Sequence, residues 1–311
     1  MRVLTHFGER SAEQVRAAAP GVEATAVPTS GALDDDVRGD ALLTLAWGSD
    51  NLTDLLGRGV TWVHTIGTGV DRFPLDVIGD GVVLTCSRGA SAVPIAEWVL
   101  AAMLAHEKQF PESWITEPLP SWDERSARLG TLAGRTLGLV GFGGIARAVA
   151  VRALAFDMEV RAFRRSAAPF GLDGVVRAGS LVELAATSDH LVIAAPSTPE
   201  THHLIGTEVL AAIRPGAHLV NVARGALVDQ DALRVALDEG RLARATLDTV
   251  DPEPLPAGHW LYEHPGVRLS PHISWSAPRS IAVLFDLFLD NVARRFAGEP
   301  LLGVVDLAAG Y

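Results

Sequence analysis

The sequence is poor in cysteine, has fewer basic than acidic residues, and lacks long apolar runs. Its single cysteine, Cys86, excludes an intrachain disulfide and a cysteine-based metal site. The 26 lysine and arginine residues against 37 acidic residues give a net charge of −11, which disfavours a nucleic-acid partner. The sequence has no uncharged apolar stretch of about eighteen residues and no apolar leader after Met1, so we expect a cytoplasmic protein without a membrane partner.

Apolar residues and glycine, by contrast, are plentiful. With 48% apolar residues, 311 residues can form more than one core. Short apolar strands such as "VLTHF", "ALLTLAW", "VTWVHTIG" and "VVLTCS" alternate with polar or helical segments, which predicts α/β domains with doubly wound parallel sheets. We expect one domain from residues 1–95 and 277–311, with a second domain, 96–276, inserted into it.

A glycine-rich turn lies at the start of the expected second domain. The segment "TLGLVGFGGIARAVA" predicts a strand over Leu137–Val140, a G-x-G-x-x-A turn and a helix. Gly141 permits a tight turn, Gly143 allows close approach of a pyrophosphate, and Ala146 allows close helix–strand packing. Gly144 and Ile145 complete the turn, so the sequence predicts a dinucleotide site here.

Three side chains further along have complementary chemistry. Arg224 in "NVARGALVD" can donate paired hydrogen bonds to a carboxylate and an adjacent carbonyl. His272 in "LSPHISW" can transfer a proton near neutral pH. Glu253 in "LDTVDPEPLP", if it contacts the imidazole, favours its charged form and fixes its tautomer. Together they suit the binding and protonation of a 2-keto acid.

These motifs, with "AEWVLAAMLA", "APSTPETHHLI" and "GRLARATLDTVDPEPLP", resemble the D-isomer-specific 2-hydroxyacid dehydrogenase family over most of the chain. The resemblance implies a Rossmann cofactor domain inserted into a flavodoxin-like substrate domain, and a homodimer in which Trp114 and Trp122 are candidate anchors. Its catalytic residues fall on Arg224, Glu253 and His272, and the chain resembles the NADPH-dependent glyoxylate/hydroxypyruvate reductases of the family. The reaction is expected in the cleft between the domains.

The resemblance also implies further contacts. The cofactor is expected to touch residues of several loops: Pro196, Ser197, Val222, Ala223 and Asp248. The substrate is expected at a loop of backbone amides and beside aromatic side chains: Trp47, Gly67, Thr68, Gly69 and Trp275.

Two arginines depart from the pattern of NAD-preferring members, which have an aspartate after the second strand of the cofactor domain. Here that position is Arg164, followed by Arg165 and Ser166. An aspartate would repel a ribose 2′-phosphate, whereas arginines and a hydroxyl can bind it. The sequence therefore predicts NADP(H), with NAD as the other possible cofactor. Ser91 and "DTVDPEP" are further departures, and neither removes a catalytic group.

Other interpretations stay open. The paired His202 and His203 lack further ligands at suitable spacing, so we expect no metal. The fold could serve a non-catalytic dinucleotide sensor that binds partner proteins, or an NAD-dependent formate- or phosphite-type dehydrogenase. A phosphoglycerate dehydrogenase role is weakened because we expect no extra regulatory domain. Among substrates, glyoxylate and hydroxypyruvate come first and aromatic 2-keto acids second.

Overall fold

The computed structural model describes residues 1–117 and 129–311, and the chain divides into two compact units. Unit 1 contains Met1–Ser91 and Ala277–Tyr311, and unit 2 contains Ala92–Ser276. The expected boundary at residues 95 and 96 thus lies between 91 and 92, because a helix that packs in unit 2 already begins at Ala92. Pro94 lies in the first turn of this helix, where its missing N–H costs no hydrogen bond.

The regular elements alternate along the chain. The strands are β1 (Arg2–Thr5), β2 (Glu23–Ala26), β3 (Ala41–Thr44), β4 (Trp62–Thr65), β5 (Val83–Cys86), β6 (Thr136–Val140), β7 (Glu159–Phe163), β8 (Val175–Arg177), β9 (His190–Ile193), β10 (Ala217–Asn221), β11 (Leu242–Leu247) and β12 (Val267–Leu269). The helices are α1 (Gly8–Ala18), α2 (Leu52–Leu56), α3 (Ala92–Lys108), α4 (Gly144–Ala155), α5 (Leu181–Thr187), α6 (Thr207–Ala212), α7 (Gln230–Asp238) and α8 (Ser280–Ala297). None of the helices in the described ranges is both long and apolar enough to span a bilayer.

Unit 1 is built on a five-stranded parallel sheet in the order β2-β1-β3-β4-β5, which is the flavodoxin-like order. Helix α8 returns the end of the chain to this unit, and the fully buried Phe288 stacks on Trp62 of β4 with ring centroids 5.4 Å apart. Helix α8 stops at Gly298, whose φ of 73° is left-handed, a common end for a helix. Strand β2 was not expected, because "EATA" has neither a long apolar run nor β-branched residues at its ends.

Unit 2 is built on a seven-stranded parallel sheet in the order β12-β11-β10-β9-β6-β7-β8. Helices α3 and α4 cover one face, and α5, α6 and α7 cover the other. From β6 the chain runs outward to β7 and β8, then crosses to β9 and continues to β12 on the other side. The direction of winding therefore reverses between β6 and β9, and parallel α/β sheets bind ligands beside the carboxyl ends of strands at such a point.

Candidate active site

The loops that carry the expected site residues of unit 2 all follow the carboxyl ends of its parallel strands, so they lie along one edge of the sheet. They are the glycine turn after β6, Arg164–Ser166 after β7, Pro196 and Ser197 after β9, Val222–Arg224 after β10, Asp248 and Glu253 after β11, and His272 after β12. Every strand of this sheet except β8 is thus followed by a loop that carries expected site residues.

The backbone of the glycine turn has the tight conformation and the open space that the sequence predicts. Gly141 has φ of 86°, and a Cβ there would lie 2.8 Å from the Cα of Ala195, so only glycine fits between β6 and the loop after β9. Gly143 precedes α4, and a Cβ added to it would meet no protein atom within 4 Å. That open space lies at a helix N-terminus, whose first N–H groups have no partner within the helix. Ala146 is fully buried against the sheet, as expected.

The arginines after β7 differ in their surroundings. Arg164 is half-buried, and its guanidinium donates to the carbonyls of Ala168 and Pro169, the latter at 2.9 Å. Arg165 and Ser166 are exposed. The structure therefore presents Arg165 and Ser166 to solvent at the sheet edge, while Arg164 is bonded to its own loop.

The loops after β9 and β10 present mainly backbone atoms at the expected cofactor site. Pro196 is exposed and Ser197 is half-buried, and the Pro196 carbonyl accepts from the Thr201 hydroxyl at 2.9 Å. Val222 and Ala223 are buried, with 5% and 8% exposure, so their side chains serve the core. Any contact of these two residues with a dinucleotide is therefore a backbone contact.

His272 and Glu253 are in direct contact. The Nδ1 of His272 lies 3.0 Å from Oε2 of Glu253, and the other oxygen, Oε1, accepts from the Val250 N–H at 3.2 Å. With Nδ1–H donating to the carboxylate, Nε2 is the ring atom left to exchange a proton. The His272 side chain is 38% exposed, so a small molecule can reach it.

Asp248 holds the loop that carries His272. Its carboxylate is 1% exposed and accepts from the Ser270 hydroxyl and from the backbone N–H groups of Ile273 and Ser274, the latter two at 2.9 Å. In addition, the His272 N–H donates to the Asp248 carbonyl at 2.9 Å. His272 itself has φ of 54°, an uncommon conformation for a residue other than glycine. These bonds fix the histidine backbone in that conformation.

Arg224 is positioned by two residues that sequence reasoning missed. The buried Asn221 accepts from the Ala223 N–H at 3.0 Å and donates to the Arg224 carbonyl at 2.9 Å, which shapes the turn after β10. Gly225 follows, and a Cβ there would lie 1.9 Å from the carbonyl carbon of Val250. The Arg224 turn thus contacts the segment whose N–H binds Glu253. The signal in the sequence was the glycine directly after the arginine in "NVARG".

The remaining expected residues lie at two places. In unit 2 the Trp275 indole N–H donates to the His272 carbonyl at 2.9 Å, which adds a further bond to the histidine loop. In unit 1 Trp47 follows β3 and is 64% exposed, and Gly67, with φ of 142°, follows the neighbouring β4. A Cβ on Gly67 would lie 3.2 Å from that of Ala46, so the Trp47 segment and the Gly67–Gly69 loop adjoin at one edge of the five-stranded sheet.

Two further expectations concern histidines and aromatic anchors. His202 and His203 stack on each other with ring centroids 3.9 Å apart, and no group of three or more metal-ligating side chains was found within 1–117 and 129–311. Trp114 is 64% exposed and packs beside Phe110. Trp122 lies outside the described residues.

A strand–glycine turn–helix at a reversal point, together with a His–Glu pair on the same edge, defines a dinucleotide-dependent enzyme domain. The NAD binding domain model of the D-isomer specific 2-hydroxyacid dehydrogenases matches residues 100–274. Glyoxylate/hydroxypyruvate reductase A of Serratia proteamaculans is 32% identical over 83% of this chain and 84% of its own length. Hydroxyphenylpyruvate reductase of Plectranthus scutellarioides is 35% identical over 77% of this chain and 76% of its own.

A crystal structure gives the same result. The D-isomer specific 2-hydroxyacid dehydrogenase of Xanthobacter autotrophicus, in complex with NADPH and MES, superposes with a TM-score of 0.82 at 28% identity and covers 100% of this chain and 99% of that one. The chain belongs to the D-isomer specific 2-hydroxyacid dehydrogenase family. It is an NAD(P)-dependent oxidoreductase that acts on the CH–OH group of its donor. The suspected family, the two parallel-sheet domains and the enzyme class are thereby confirmed.

Proposed function

We propose that this enzyme reduces a small 2-keto acid, glyoxylate or hydroxypyruvate, to the D-2-hydroxy acid with NADPH as the preferred cofactor. The observation that carries the proposal is the 3.0 Å contact between His272 and Glu253 on the sheet edge that also holds the glycine turn and Arg224. The relative from Serratia proteamaculans is named for these two substrates, which supports the substrate class.

The residues around the glycine turn fit the cofactor. The open space at Gly143, beside the N–H groups at the start of α4, suits a pyrophosphate. Arg165 and Ser166, exposed after β7, suit a 2′-phosphate. When bound, the reduced nicotinamide supplies the hydride that reduces the keto carbon. The NADPH complex of the Xanthobacter relative supports the same choice of cofactor.

The geometry supports the following catalytic roles. Arg224 binds the substrate carboxylate and the adjacent carbonyl oxygen with its planar guanidinium, which orients the keto carbon and stabilises negative charge on its oxygen. His272 gives the proton on Nε2 to that oxygen, and Glu253 holds Nδ1–H so that Nε2 points to the substrate. One hydride and one proton convert C=O to CH–OH.

Initial rates with NADPH and NADH test the proposal against four acids: glyoxylate, hydroxypyruvate, pyruvate and phenylpyruvate. We expect the highest kcat/KM with NADPH and one of the first two acids. In Arg224→Ala, the loss of two hydrogen bonds to charged groups lowers kcat/KM by about a hundredfold or more. Arg10→Ala, which removes an exposed arginine of α1, is the control and leaves the rates unchanged.

The outcomes separate the parts of the proposal. If the enzyme turns over mainly phenylpyruvate, its substrates are aromatic 2-keto acids. The Plectranthus relative is named for a substrate of this kind. Equal rates with NADH would refute the cofactor preference, and an active Arg224→Ala enzyme would refute the role of the arginine.

We also propose that the enzyme is a cytoplasmic homodimer. Light scattering after size-exclusion chromatography gives the mass of the particle and so tests the dimer.

A further inference from the structure

Three arginines bind the backbone of the loop 164–171, one from α4, one from β8 and one from the loop itself. Arg177 of β8 donates to the carbonyls of Ser166, Ala167 and Ala168 at 3.2, 3.5 and 2.6 Å. Arg147 of α4 donates to the carbonyls of Phe170 and Gly171, the latter at 2.8 Å. Arg164 donates to Ala168 and Pro169. The carbonyls of almost the whole loop are therefore occupied by guanidinium groups of unit 2.

An aromatic side chain lies at the centre of this arrangement. The Phe170 ring is contacted by the guanidinium groups of Arg177 and Arg164, whose Cζ atoms lie 4.4 and 5.3 Å from its centroid. Such cation–π contacts fix the planes of both guanidinium groups. The Phe142 ring, from the glycine turn, packs against Phe170 at 4.5 Å between centroids. The loop after β7 is thus attached to the turn that precedes α4.

These three arginines form no ion pair with a carboxylate in the described residues, whereas Arg165 of the same loop interacts electrostatically with Glu200. Within the part of the chain that the structure describes, the ion pairs include none to Arg147, Arg164 or Arg177. Carbonyl oxygens satisfy their hydrogen bonds but leave three positive charges. A local excess of this kind in a chain of net charge −11 favours a dianionic group beside the loop.

We propose that Arg177, together with Phe170, is a positioning residue for cofactor specificity. Arg177 binds the carbonyls of residues 166–168 and so holds the loop in the conformation in which the side chains of Arg165 and Ser166 are exposed, where they bind the 2′-phosphate of NADPH. Arg177 acts on the phosphate through the loop and not by contact. This inference rests on the proposed preference for NADPH. It adds Arg177 of β8 and the ring of Phe170 to the residues on which that preference depends.

Steady-state kinetics with NADPH and NADH test this division of roles in four variants. Arg165→Ala removes the proposed contact, Arg177→Ala removes the carbonyl bonds, and Phe170→Leu removes the ring without a change of charge. We expect each of these three variants to raise the KM for NADPH about tenfold or more, with kcat and the KM for NADH within about twofold of wild type. Arg161→Ala is the matched control, since it removes a nearby positive charge that pairs with Glu183 and makes no bond to the loop.

The pattern across variants decides the inference. A rise in KM for NADPH in Arg177→Ala but not in Phe170→Leu would show that charge alone acts, which overturns positioning. Equal changes for NADPH and NADH in either variant would show a merely structural effect and would overturn it as well, as would an unchanged KM in Arg165→Ala. If the wild-type enzyme itself prefers NADH, the proposed function fails instead, whatever the variants do. Circular dichroism melting of each variant identifies any that fails to fold, and Arg177→Lys then replaces Arg177→Ala, because its single ammonium cannot bind the three carbonyls in the same way.

Discussion

Two glycines of unit 2 show how single residues decide the geometry of the site. Gly141 needs both a left-handed backbone and the absence of a side chain, because the backbone of Ala195 lies against it. Gly225 has an ordinary φ, but the carbonyl of Val250 lies where its Cβ would be. The first glycine brings together the loops after β6 and β9. The second brings the Arg224 turn against the segment that holds Glu253.

Gly225→Ala is expected to damage both catalysis and folding. The added methyl group displaces Val250, whose N–H binds Glu253, and the Glu253–His272 contact shifts with it. We expect kcat to fall more than about tenfold, since small displacements of catalytic groups have large kinetic effects. Overpacking should lower the free energy of unfolding by about 1–3 kcal/mol. Turnover and urea denaturation measure the two effects.

Gly79→Ala serves as the control for this change, because a Cβ at Gly79 meets no atom within 4 Å and its φ is not left-handed. Normal turnover and stability in Gly225→Ala would mean that the close approach to Val250 is not needed for the site.

Single residues also mark where sequence reasoning succeeds. Gly141, Glu253 and His272 could be located because each belongs to a short motif after an apolar strand. Arg177 could not be, since it lies in "GVVRAGS" without a recognisable pattern, and its contact with Ser166 requires that β8 pairs with β7. The clash at Gly225 likewise depends on how the turns after β10 and β11 approach each other.

At the scale of elements, the loop after β12 depends on the end of β11. Asp248 stands directly after β11 and accepts three hydrogen bonds from residues 270–274, on both sides of His272. Sequence reasoning placed Asp248 near the nicotinamide by resemblance, and that contact stays a proposal. In the structure, hydrogen bonds to the same carboxylate hold the loop that carries His272, the proposed proton donor.

Asp248→Asn tests this task. An amide has one acceptor oxygen in place of two, so its NH₂ group faces a backbone donor in a buried site, and the loop loses bonds. We expect kcat to fall about a hundredfold and stability to fall by about 1–3 kcal/mol, with little change in NADPH affinity. Asp173→Asn, at an exposed site of the same unit, is the control. A weaker Kd for NADPH with unchanged kcat would instead favour the cofactor contact as the main role.

The elements themselves were predictable to different degrees. Helix α8 shows apolar residues at helical spacing and a terminal glycine, so both its extent and its end followed from the sequence. Helix α3 begins before Pro94 and not after it, since proline is accepted in a first turn. Strand β2 was not predicted, because its four residues are partly exposed and pair only with β1.

At the scale of the whole molecule, buried histidines connect stability to pH. His64 in unit 1 is fully buried between Thr85 and Ser87, at 2.8 and 3.1 Å, and burial lowers its pKa from 6.5 to about 3. In unit 2, burial lowers the pKa of His218 well below 6.5. Both side chains therefore stay neutral in the folded protein at pH values at which they are charged in the unfolded chain.

Acidification from pH 6.5 is expected to destabilise the protein. The unfolded chain takes up a proton on His64 below pH 6.5 and the folded protein does not, so stability is present above 6.5 and declines as the pH falls toward about 3. The loss is about 1.4 kcal/mol per pH unit for this residue. Chemical denaturation between pH 7.5 and 4.5 measures it, and His64→Gln should flatten the dependence by that amount. An identical slope in the variant would show that His64 does not contribute.

The single edge of the seven-stranded sheet separates two tasks by strand. The residues proposed to select between the dinucleotides follow β7 and are supported from β8, whereas Arg224, Glu253 and His272 follow β10, β11 and β12, on the far side of β6 and β9. The two sets share no loop. We therefore expect that exchange of the segment 164–177 changes the preference between NADPH and NADH and leaves proton transfer intact. Natural substitutions are likewise expected to alter one of these proposed tasks without the other.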